Sequence, residues 1–514
     1  MMCKSLMLAA AASAVLVASP TLAQRSADTL RIAINDMFPL VDPYNFPQDE
    51  QTSFNTSVYQ GLLNYDERNG KYIGTLAKAW RRIDDKTIEF DLREGVKFHN
   101  GDLLTAEDFK ATYEWAADEK TRIRFKESYN WIERVEILGP TKIRTHSKRL
   151  NQSDLMRFAY SLKVLNKKAL TSLDNTADYG RLTPYGTGTY KVVSLDKSKG
   201  VVVERYDDHR HVDHYRAPVK RVHGIPIPDR QTQQAQLLTG GIDLIRNVPA
   251  DSAKQLANVP NLAVTSSPSA MLLYVTLDAA GRSANKAFTD ERVRKAFVMA
   301  IDREAFVKNI VPAGEIAEIP AGICFKAHLA CKIDNKPYPY NPTEAKRLLA
   351  EAGHPNGIDI TLYAHEPVAY IATAIAGEVR KVGIRASVEA MQLGLYVKRR
   401  GDGDLTAFTG FYPTGVNPDT GNLISFFFNQ DRDYWKDPQI HDAWSKGEIE
   451  LDLSKRTALY TPAVNKINEK AYILPISELP IVWAHTKDVK VLQNPLSTAD
   501  PKLGDYAWSD YKGK

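Results

Sequence analysis

The segment 341–391 alternates between helical and strand periodicity, and it limits the possible folds more than any other segment of the chain. Asn341 is placed to cap a helix, with Pro342 at its first position and Gly353 where it ends. The segments that follow are the alternating strand IDITLYA, the apolar helix VAYIATAIAGEVRKVG and the strand IRASVEAM. Strand, helix and strand at this spacing predict a βαβ unit, and therefore an α/β lobe with a mostly parallel sheet.

The first half of the chain also mixes strands and helices. LRIAI, from Leu30, alternates as a half-buried strand does, and TAEDFKATYEWAAD predicts a helix capped by Thr105. The stretch 185–205 holds two β-rich runs around a Lys-Ser-Lys-Gly turn, which predicts a hairpin. A G-x-G pattern at Gly186 and Gly188 precedes a strand, whereas a phosphate-binding loop precedes a helix, so it does not indicate nucleotide binding.

The N-terminus has the pattern of a secretory signal peptide. A single lysine, an apolar run of about 13 residues and a small-residue end predict cleavage after Ala23. The run is shorter than the roughly 20 residues that span a bilayer, which argues against a membrane anchor. Cys3 lies far from the cleavage point, so it cannot carry the lipid of a mature lipoprotein. We therefore expect a protein that diffuses freely in the periplasm.

Length, charge and cysteine content exclude further classes of protein. A chain of 514 residues is too long for one compact core, so two or three domains are expected. The formal charge of +5 falls to +4 when Lys4 is removed with the signal, and no basic stripe is present, so nucleic acid is not an expected partner. Cys324 and Cys331 remain after cleavage, and their short spacing in an exported chain suggests a disulfide. Two free buried thiols are the alternative.

The chain contains five segments that resemble, in the same order, those of a known family: FDLREGVKFHNGDLLTAEDFKATYEW, PYGTGTYKV, LLTGGIDLI, DERVRKAFVMAIDREAFV and NPTEAKRLLAEAGHPNG. They are similar to segments of the family 5 extracellular solute-binding proteins of ABC importers, which include dipeptide- and oligopeptide-binding proteins. The five segments extend from Phe90 to Gly357. The resemblance implies a two-lobed α/β receptor, like the type II periplasmic binding proteins, with an extra subdomain inserted in its N-terminal lobe.

The resemblance also implies domain boundaries. They are the signal peptide at 1–23, the core of lobe I at 24–60, 180–268 and 482–514, the inserted subdomain of lobe I at 61–179, and lobe II at 269–481. The chain would cross between the lobes near 266–270 and return near 479–484. These boundaries place the predicted βαβ unit entirely within lobe II.

This architecture implies capture of a solute without chemistry. A solute held between two lobes touches both only when they close, so it favours the closed form by its differential affinity. The implied partner is the permease of an ABC importer in the inner membrane, with its cytoplasmic ATPases, and the receptor would act as a monomer without a cofactor. Catalytic motifs are incomplete: HEPVA at His365 lacks the second histidine of a zinc protease, and S-x-x-K at Ser194 lies in a hairpin turn.

The stretch YDDHRHVDHYR, residues 206–216, contains three histidines and three aspartates and could form a metal site. His209 and His211 would share a strand face, but His214 would then point away, and no glycine lies between them to form a turn. A solvated polar loop is therefore the favoured interpretation, and an adventitious or regulatory metal is the alternative.

Three regions of this family line the cleft between the lobes. The corresponding residues here are Asp36, Met37 and Phe38 after the first strand, Tyr274 in MLLYVTL, and Phe411, Tyr412, Asn417 and Asp419 in FTGFYPTGVNPDTGN. Aromatic side chains supply apolar contact at little entropic cost, while a few polar groups set the orientation of a ligand. For each aromatic residue, packing in the core is an equally good interpretation.

The stretch after Gly410 departs from the peptide-binding pattern. Peptide-binding relatives place an aspartate just after a turn that Phe408, Thr409 and Gly410 resemble, and this aspartate pairs with the positive amino end of the peptide. Here Phe411 and Tyr412 follow the turn, and the next acid is Asp419. Because a buried ammonium without a carboxylate is costly, we expect a non-peptide cargo such as an oligosaccharide, an opine-like or an aromatic compound. A peptide is the alternative if Asp419 or Asp36 substitutes. A chelated metal, as in nickel-binding relatives, is the second alternative, with His365 as the histidine near the cleft.

Overall fold

The computed structural model describes residues 28–35, 41–45, 49–66, 70–123, 126–209, 217–269, 271–413, 418–429, 432–492 and 502–512. The strands in this part of the chain are, in order, β1 Thr29–Ile34, β2 Leu63–Asp66, β3 Lys71–Gly74, β4 Ala77–Asp84, β5 Thr87–Leu92, β6 Ile132–Gly139, β7 Lys142–Ser147, β8 Tyr190–Asp196, β9 Gly200–Arg205, β10 Arg221–Pro226, β11 Leu244–Arg246, β12 Leu262–Ser267, β13 Met271–Leu277, β14 Ile358–His365, β15 Ile384–Met391, β16 Ala407–Pro413, β17 Ile473–Glu478, β18 Ile481–Thr486, β19 Val489–Val491 and β20 Tyr506–Trp508. Strands and helices alternate through most of the chain, so the fold is mixed α and β.

The helices of the same residues are, in order, α1 Asp49–Val58, α2 Ala106–Ala117, α3 Asp154–Tyr160, α4 Lys167–Thr171, α5 Tyr179–Leu182, α6 Arg230–Leu238, α7 Ala250–Ala257, α8 Glu291–Met299, α9 Arg303–Ile310, α10 Pro342–Glu351, α11 Ala369–Arg380, α12 Leu393–Asp402, α13 Thr420–Phe428, α14 Pro438–Gly447 and α15 Leu453–Glu469. α10 begins as predicted, because Asn341 Oδ1 accepts a hydrogen bond from the Glu344 amide at 3.0 Å. In the part of the chain that the structure describes, no helix is both long and apolar enough to cross a membrane.

The largest sheet among the described residues has seven strands, in the order β12-β18-β11-β1-β10-β9-β8. β1 runs parallel to β10 and β11, and the other neighbours are antiparallel. β8 and β9 form the predicted hairpin. Its turn requires glycine, because Gly200 has a φ of +87° and an added Cβ would lie 1.9 Å from the Gly224 carbonyl oxygen.

A second, four-stranded sheet is antiparallel throughout, in the order β4-β5-β7-β6. Helix α2 packs against β6, and its start follows the predicted capping pattern. The Asp108 carboxylate accepts from the Thr105 amide and from the Thr105 hydroxyl, both at 2.8 Å. All four strands fall within the segment predicted as the inserted subdomain, although the boundaries of that subdomain stay a prediction.

The third sheet contains the predicted βαβ unit, β14-α11-β15, whose two strands pair in parallel over their full length. The strand order is β15-β14-β16-β13-β17. The expectation of a mostly parallel sheet is only half right, because β13 runs antiparallel to both β16 and β17. The physical reason is the chain path: β13 carries the chain into this sheet from the seven-stranded one, and β17 carries it back toward β18.

This five-stranded sheet separates two hydrophobic clusters. Leu273 and Val275 of β13 face one cluster, with α8, α10 and α11, whereas Leu272 and Tyr274 face the other, with α12, α13 and α15. Because side chains alternate along a strand, β13 contributes to both clusters. The two clusters fix the positions of β13 and β17, which both reach the crossing between the lobes.

The two crossing segments are bound to each other. The Ser269 amide donates to Glu478 Oε1 at 2.6 Å, and the Ser269 hydroxyl donates to the Leu479 carbonyl at 2.7 Å. The Met271 amide donates in turn to the Ser269 hydroxyl at 3.1 Å. Burial raises the pKa of the Glu478 carboxyl above its usual range. The connection between the lobes is therefore a pair of strand ends joined by side-chain hydrogen bonds.

Candidate ligand-binding site

Strands β13 and β16 bring the predicted aromatic residues to the edge of lobe II that adjoins the crossing. Tyr274 is paired in register with Gly410, and Leu272 with Tyr412. Gly410 is required by a close approach, because an added Cβ would lie 2.9 Å from the Tyr274 hydroxyl and 3.0 Å from the Tyr396 hydroxyl. The strand therefore passes directly beneath two tyrosine hydroxyls.

Four side chains form what we call the aromatic cluster: Tyr274, Tyr396, Tyr412 and Phe426. The Tyr412 and Phe426 ring centroids are 4.5 Å apart, and those of Tyr274 and Phe426 are 6.2 Å apart. Tyr274 and Tyr396 are buried, whereas Tyr412 and Phe426 are half-exposed. Burial raises the pKa of Tyr412 to about 12, so its hydroxyl stays protonated and can donate a hydrogen bond at neutral pH. Of the four, Tyr412 and Phe426 are the rings open to contact from outside.

The cluster contains a cation that the sequence analysis missed. Arg400 is 7% exposed, and its guanidinium carbon lies 4.7 Å from the Phe426 ring centroid and 6.0 Å from that of Tyr396. Burial raises the pKa of the Tyr274 hydroxyl, and the adjacent Arg400 guanidinium opposes that rise. The run KRRGDG looks like a solvated surface segment. The four-residue spacing from Tyr396 to Arg400, which puts both on one helix face, was the only available signal.

Asp419 is buried and already has partners within lobe II. Its carboxylate forms a buried ion pair with Arg456 at 3.0 Å and accepts from the Gly421 amide at 2.8 Å, which caps α13. Both side chains are at least nine-tenths buried. The contact of Asp419 with a solute stays a prediction, but the carboxylate has a structural function that the sequence analysis did not assign.

The disulfide predicted between Cys324 and Cys331 is confirmed, with an S–S distance of 2.03 Å. It closes a loop that holds the start of α13. The Leu329 amide donates to the Pro418 carbonyl at 2.6 Å, and the Thr420 amide donates to the Leu329 carbonyl at 3.0 Å. The Leu329 side chain packs against the hydrophobic core of lobe I. The loop therefore connects the α13 N-terminus of lobe II to lobe I.

Phe411 lies apart from the aromatic cluster, and His365 lies beside both Phe411 and Tyr396, which is a member of the cluster. Phe411 packs on the opposite face of the sheet from Tyr412, against the other hydrophobic cluster of lobe II. The His365 ring centroid is 6.2 Å from that of Phe411 and 6.1 Å from that of Tyr396. Burial lowers the pKa of His365, so the imidazole is neutral at neutral pH. The structure thus does not bring Phe411 and Tyr412 to one surface, although they are adjacent in sequence.

Several residues of the sequence prediction lie outside the described residues. These are Asp36, Met37, Phe38 and Asn417, together with His211 and His214. Their assignment as site or loop residues stays a prediction.

The described end of the histidine-rich stretch is tied into the protein. Gln60 Nε2 and His209 Nε2 are 2.8 Å apart, while Gln60 Oε1 accepts from the Thr187 hydroxyl at 3.2 Å. Asp207 pairs with Arg205, and Asp208 with Lys97. Among the described residues, no group of three or more histidine, cysteine, aspartate or glutamate side chains is placed to hold a metal.

A cavity of about 460 Å³ lies in lobe I, along β10 and α6. Its lining is mostly apolar, and its one carboxylate, Asp229, caps α6 by accepting from the Thr232 amide at 2.7 Å. None of the described residues that the sequence predicts for ligand binding lines it. We therefore place the candidate site at the aromatic cluster of lobe II instead of this cavity.

Comparison with known proteins identifies the class to which this architecture belongs. Residues 71–435 match the family described as bacterial extracellular solute-binding proteins, family 5 Middle. The glutathione-binding protein GsiB of Escherichia coli (strain K12) is 27% identical over 482 residues, which cover 89% of this chain and 90% of GsiB.

Solved structures of the same class share the fold. NikA from Brucella suis, in complex with Fe(III)-EDTA, superimposes with a TM-score of 0.82 at 21% identity, over 94% of this chain and 100% of NikA. The peptide-bound DppA from Helicobacter pylori has a TM-score of 0.76 at 22% identity, over 94% of this chain and 98% of DppA.

The chain belongs to the bacterial family 5 extracellular solute-binding proteins. It has the mixed α/β fold of the type II periplasmic binding proteins, and it is a solute-binding receptor of an ABC importer. Its relatives are binding proteins of ABC transporters, not enzymes. The interpretation of its residues as a receptor that captures without chemistry is therefore confirmed at the level of the family.

Proposed function

We propose that this receptor captures a small non-peptide solute between its lobes and delivers it unaltered to an ABC permease in the inner membrane. The chain is exported by its signal peptide, cleaved after Ala23, and acts in the periplasm as a monomer without a lipid anchor. The solute contacts lobe II at the aromatic cluster and lobe I at the loop that contains Asp36, Met37 and Phe38. Stacking on Tyr412 and Phe426 supplies most of the apolar contact.

The observation that carries the non-peptide proposal is the ion pair between Asp419 and Arg456. Peptide-binding relatives use an aspartate just after a turn like that of Phe408 to Gly410, where this chain continues with Phe411 and Tyr412. The next acid along the chain is Asp419, and its carboxylate is buried 3.0 Å from Arg456. Taking it from Arg456 to bind an ammonium group would leave a buried guanidinium unpaired, which is costly. Lobe II thus offers a poor partner for the amino end of a peptide.

The comparisons are compatible with either a peptide or a non-peptide cargo. GsiB is named for glutathione and DppA is bound to a peptide, whereas NikA is bound to Fe(III)-EDTA. The fold therefore accommodates either kind of solute. Because Phe411 and Tyr412 follow Gly410 where peptide-binding relatives use an aspartate, we favour a non-peptide solute. A peptide receptor is the alternative function. A chelated-metal receptor is a weaker alternative, because the described neighbours of His365 are aromatic rings.

Closure of the lobes is the step that a permease would recognise. The chain crosses between the lobes twice, and Ser269 and Glu478 hold the two crossings together. A bend confined to such short strand ends moves each lobe as a unit, because their hydrophobic cores are separate. A solute that touches both lobes stabilises the closed form by its differential affinity.

Calorimetry tests the proposal in two arms. Di- and tripeptides with free amino ends should not bind tightly, whereas the solute recovered from the purified protein should. Tyr412→Ala should weaken binding of that solute by about 1 to 3 kcal/mol, which is roughly 5- to 150-fold. Tyr338→Ala is the matched control, because Tyr338 packs on the other hydrophobic cluster and donates to the Glu469 carbonyl. Tight binding of simple peptides would contradict the non-peptide cargo, and elemental analysis of the purified protein separates the chelated-metal alternative.

A further inference from the structure

Arg400 is a buried cation whose surroundings differ from those of its neighbours. It lies on α12 and is 7% exposed. The preceding residue, Arg399, donates to Glu389 Oε1 at 2.6 Å. Within the described residues, Arg400 forms no ion pair, and its buried Nε–H has no hydrogen-bond acceptor. A buried guanidinium with an unmet donor is costly, so a structure retains one only for a reason.

The other buried arginines of lobe II show what a satisfied guanidinium looks like in this fold. Arg456 is paired with Asp419 at 3.0 Å. Arg294 donates to the Phe288 carbonyl at 2.7 Å and to the Lys470 carbonyl at 2.9 Å, and it lies 5.2 Å from the Tyr472 ring centroid. Among the described residues, Arg400 instead lies beside aromatic rings and tyrosine hydroxyls. Arg400 is therefore the buried arginine of lobe II whose guanidinium lacks a described carboxylate or carbonyl acceptor.

The position of Arg400 indicates where that acceptor comes from. Its guanidinium lies over Phe426, whose ring also contacts Tyr412, and the Arg432 guanidinium lies 5.7 Å from the same ring. Phe426 is half-exposed, so the Arg400 guanidinium lies close to a surface that a ligand can reach. Of the acidic groups nearby that the structure describes, Glu389 is paired with Arg399, and Asp433 with His441 at 2.8 Å. We therefore expect a bound molecule to supply the acceptor, at the face of lobe II that adjoins the crossing.

We propose that the solute carries a carboxylate and that Arg400 binds it, while Tyr412 and Phe426 stack against the rest of the molecule. The proposal rests on the proposed function and names its substrate class, a small non-peptide organic acid. The planar guanidinium fork matches the two oxygens of a carboxylate, and the aromatic surroundings exclude the water that would weaken the contact. Arg400 thus decides which solutes are captured, and it does so through charge more than shape.

The test compares carboxylic acids with their primary amides, which have nearly the same shape but no charge. Wild-type protein freed of bound solute is screened by thermal shift and then calorimetry against such pairs, taken from aromatic, sugar-derived and amino-acid-derived acids. An acid should bind at least about tenfold more tightly than its amide, since a hydrogen bond to a charged group is worth that much or more. Arg400→Gln should remove this preference, and Arg294→Gln, a matched loss of a buried arginine far from the cluster, should keep it.

Arg400→Lys is a second variant, used in case the Arg400→Gln protein does not fold. It retains the charge without the fork, so the preference for the acid should fall to an intermediate value. An amide that binds as tightly as its acid overturns the inference, and so does an Arg400→Gln protein that keeps wild-type affinity for the acid.

Different results would reject the carboxylate on the solute and the receptor function of the protein. A neutral solute bound tightly, or released from the purified protein, leaves the receptor function standing and removes the carboxylate. If no compound of either kind binds and the protein releases no solute, both fail. Tight binding of free-amino peptides removes the non-peptide cargo, and the Arg400→Gln variant then still decides whether their carboxylate is bound here.

Discussion

Two buried arginines contact the same helix, α13, in opposite ways. Arg456 reaches the N-cap of the helix and is paired with Asp419. Arg400 lies over the ring of Phe426, in the last turn of the helix, and has no described carboxylate partner. A buried ion pair of the first kind keeps a helix in place, because breaking it strands a charge in the interior. A lone cation of the second kind is where a ligand is expected to supply the missing charge. The contrast distinguishes the scaffold of lobe II from the surface at which we propose that the solute binds.

The strongest test of this contrast is to break the paired arginine. Arg456→Met should destabilise the protein by about 3 to 5 kcal/mol, because the Asp419 carboxylate stays buried without its partner. Denaturant unfolding followed by circular dichroism measures the change. Arg456→Met combined with Asp419→Asn should recover part of the loss, since no charge is then stranded. A loss below about 1 kcal/mol in the single variant would mean that water reaches the pair and that it is not a fixed part of the scaffold.

Removing the disulfide tests whether the loop holds α13 in place. Replacing Cys324 and Cys331 together with serine should cost about 2.5 kcal/mol, as expected for a loop of this size. The loop also bonds Pro418 and Thr420, on either side of Asp419, so the variant should lose additional stability when Arg456 is changed as well. Wild-type protein treated with a reductant is the control and should match the double serine variant. Strict additivity of the two changes would show that the loop and the ion pair are independent.

Gly410 tests the packing beneath the aromatic cluster. Gly410→Ala should cost about 1 to 3 kcal/mol, because its Cβ would meet the Tyr274 and Tyr396 hydroxyls at 2.9 and 3.0 Å. Gly377, within α11, has no atom within 4 Å of an added Cβ. Gly377→Ala should therefore stabilise the protein, by about 0.5 to 1 kcal/mol. Thermal unfolding of the two variants should move in opposite directions, and a shift in the same direction would refute the close approach at Gly410.

The smallest effect on stability is expected at the unpaired arginine. Arg400→Met should change the free energy of unfolding by about 1 kcal/mol or less, because no ion pair is lost and the apolar side chain fits among the rings. The same variant should nevertheless lose most of its affinity for the solute. Parallel unfolding and calorimetry of Arg400→Met and Arg456→Met give the comparison directly. Equal losses of stability in the two variants would show that Arg400 also belongs to the scaffold.

The sequence predicted those features that depend on local patterns. The cap at Asn341, the βαβ unit, the hairpin around Gly200 and the disulfide follow from residues close together in the chain, and the structure confirms them. The family was recognised from five segments that occur in the same order as in its other members.

Features that depend on distant residues were not predictable in the same way. The antiparallel course of β13 depends on the path between two sheets, and the ion pair of Asp419 depends on a residue 37 positions away. Arg400 was overlooked because KRRGDG has the composition of a surface segment, and only the packing of α12 against the sheet buries it. Burial of a charged residue is a property of the tertiary structure, so periodicity alone could not reveal it.

Mass spectrometry of the solute released from purified protein, recorded immediately and again after prolonged incubation with the same protein, decides whether the receptor captures an organic acid unaltered. We expect one small organic acid without a peptide amino end, at the same mass in both spectra. A peptide with a free amino end, or a mass that changes on incubation, would contradict it.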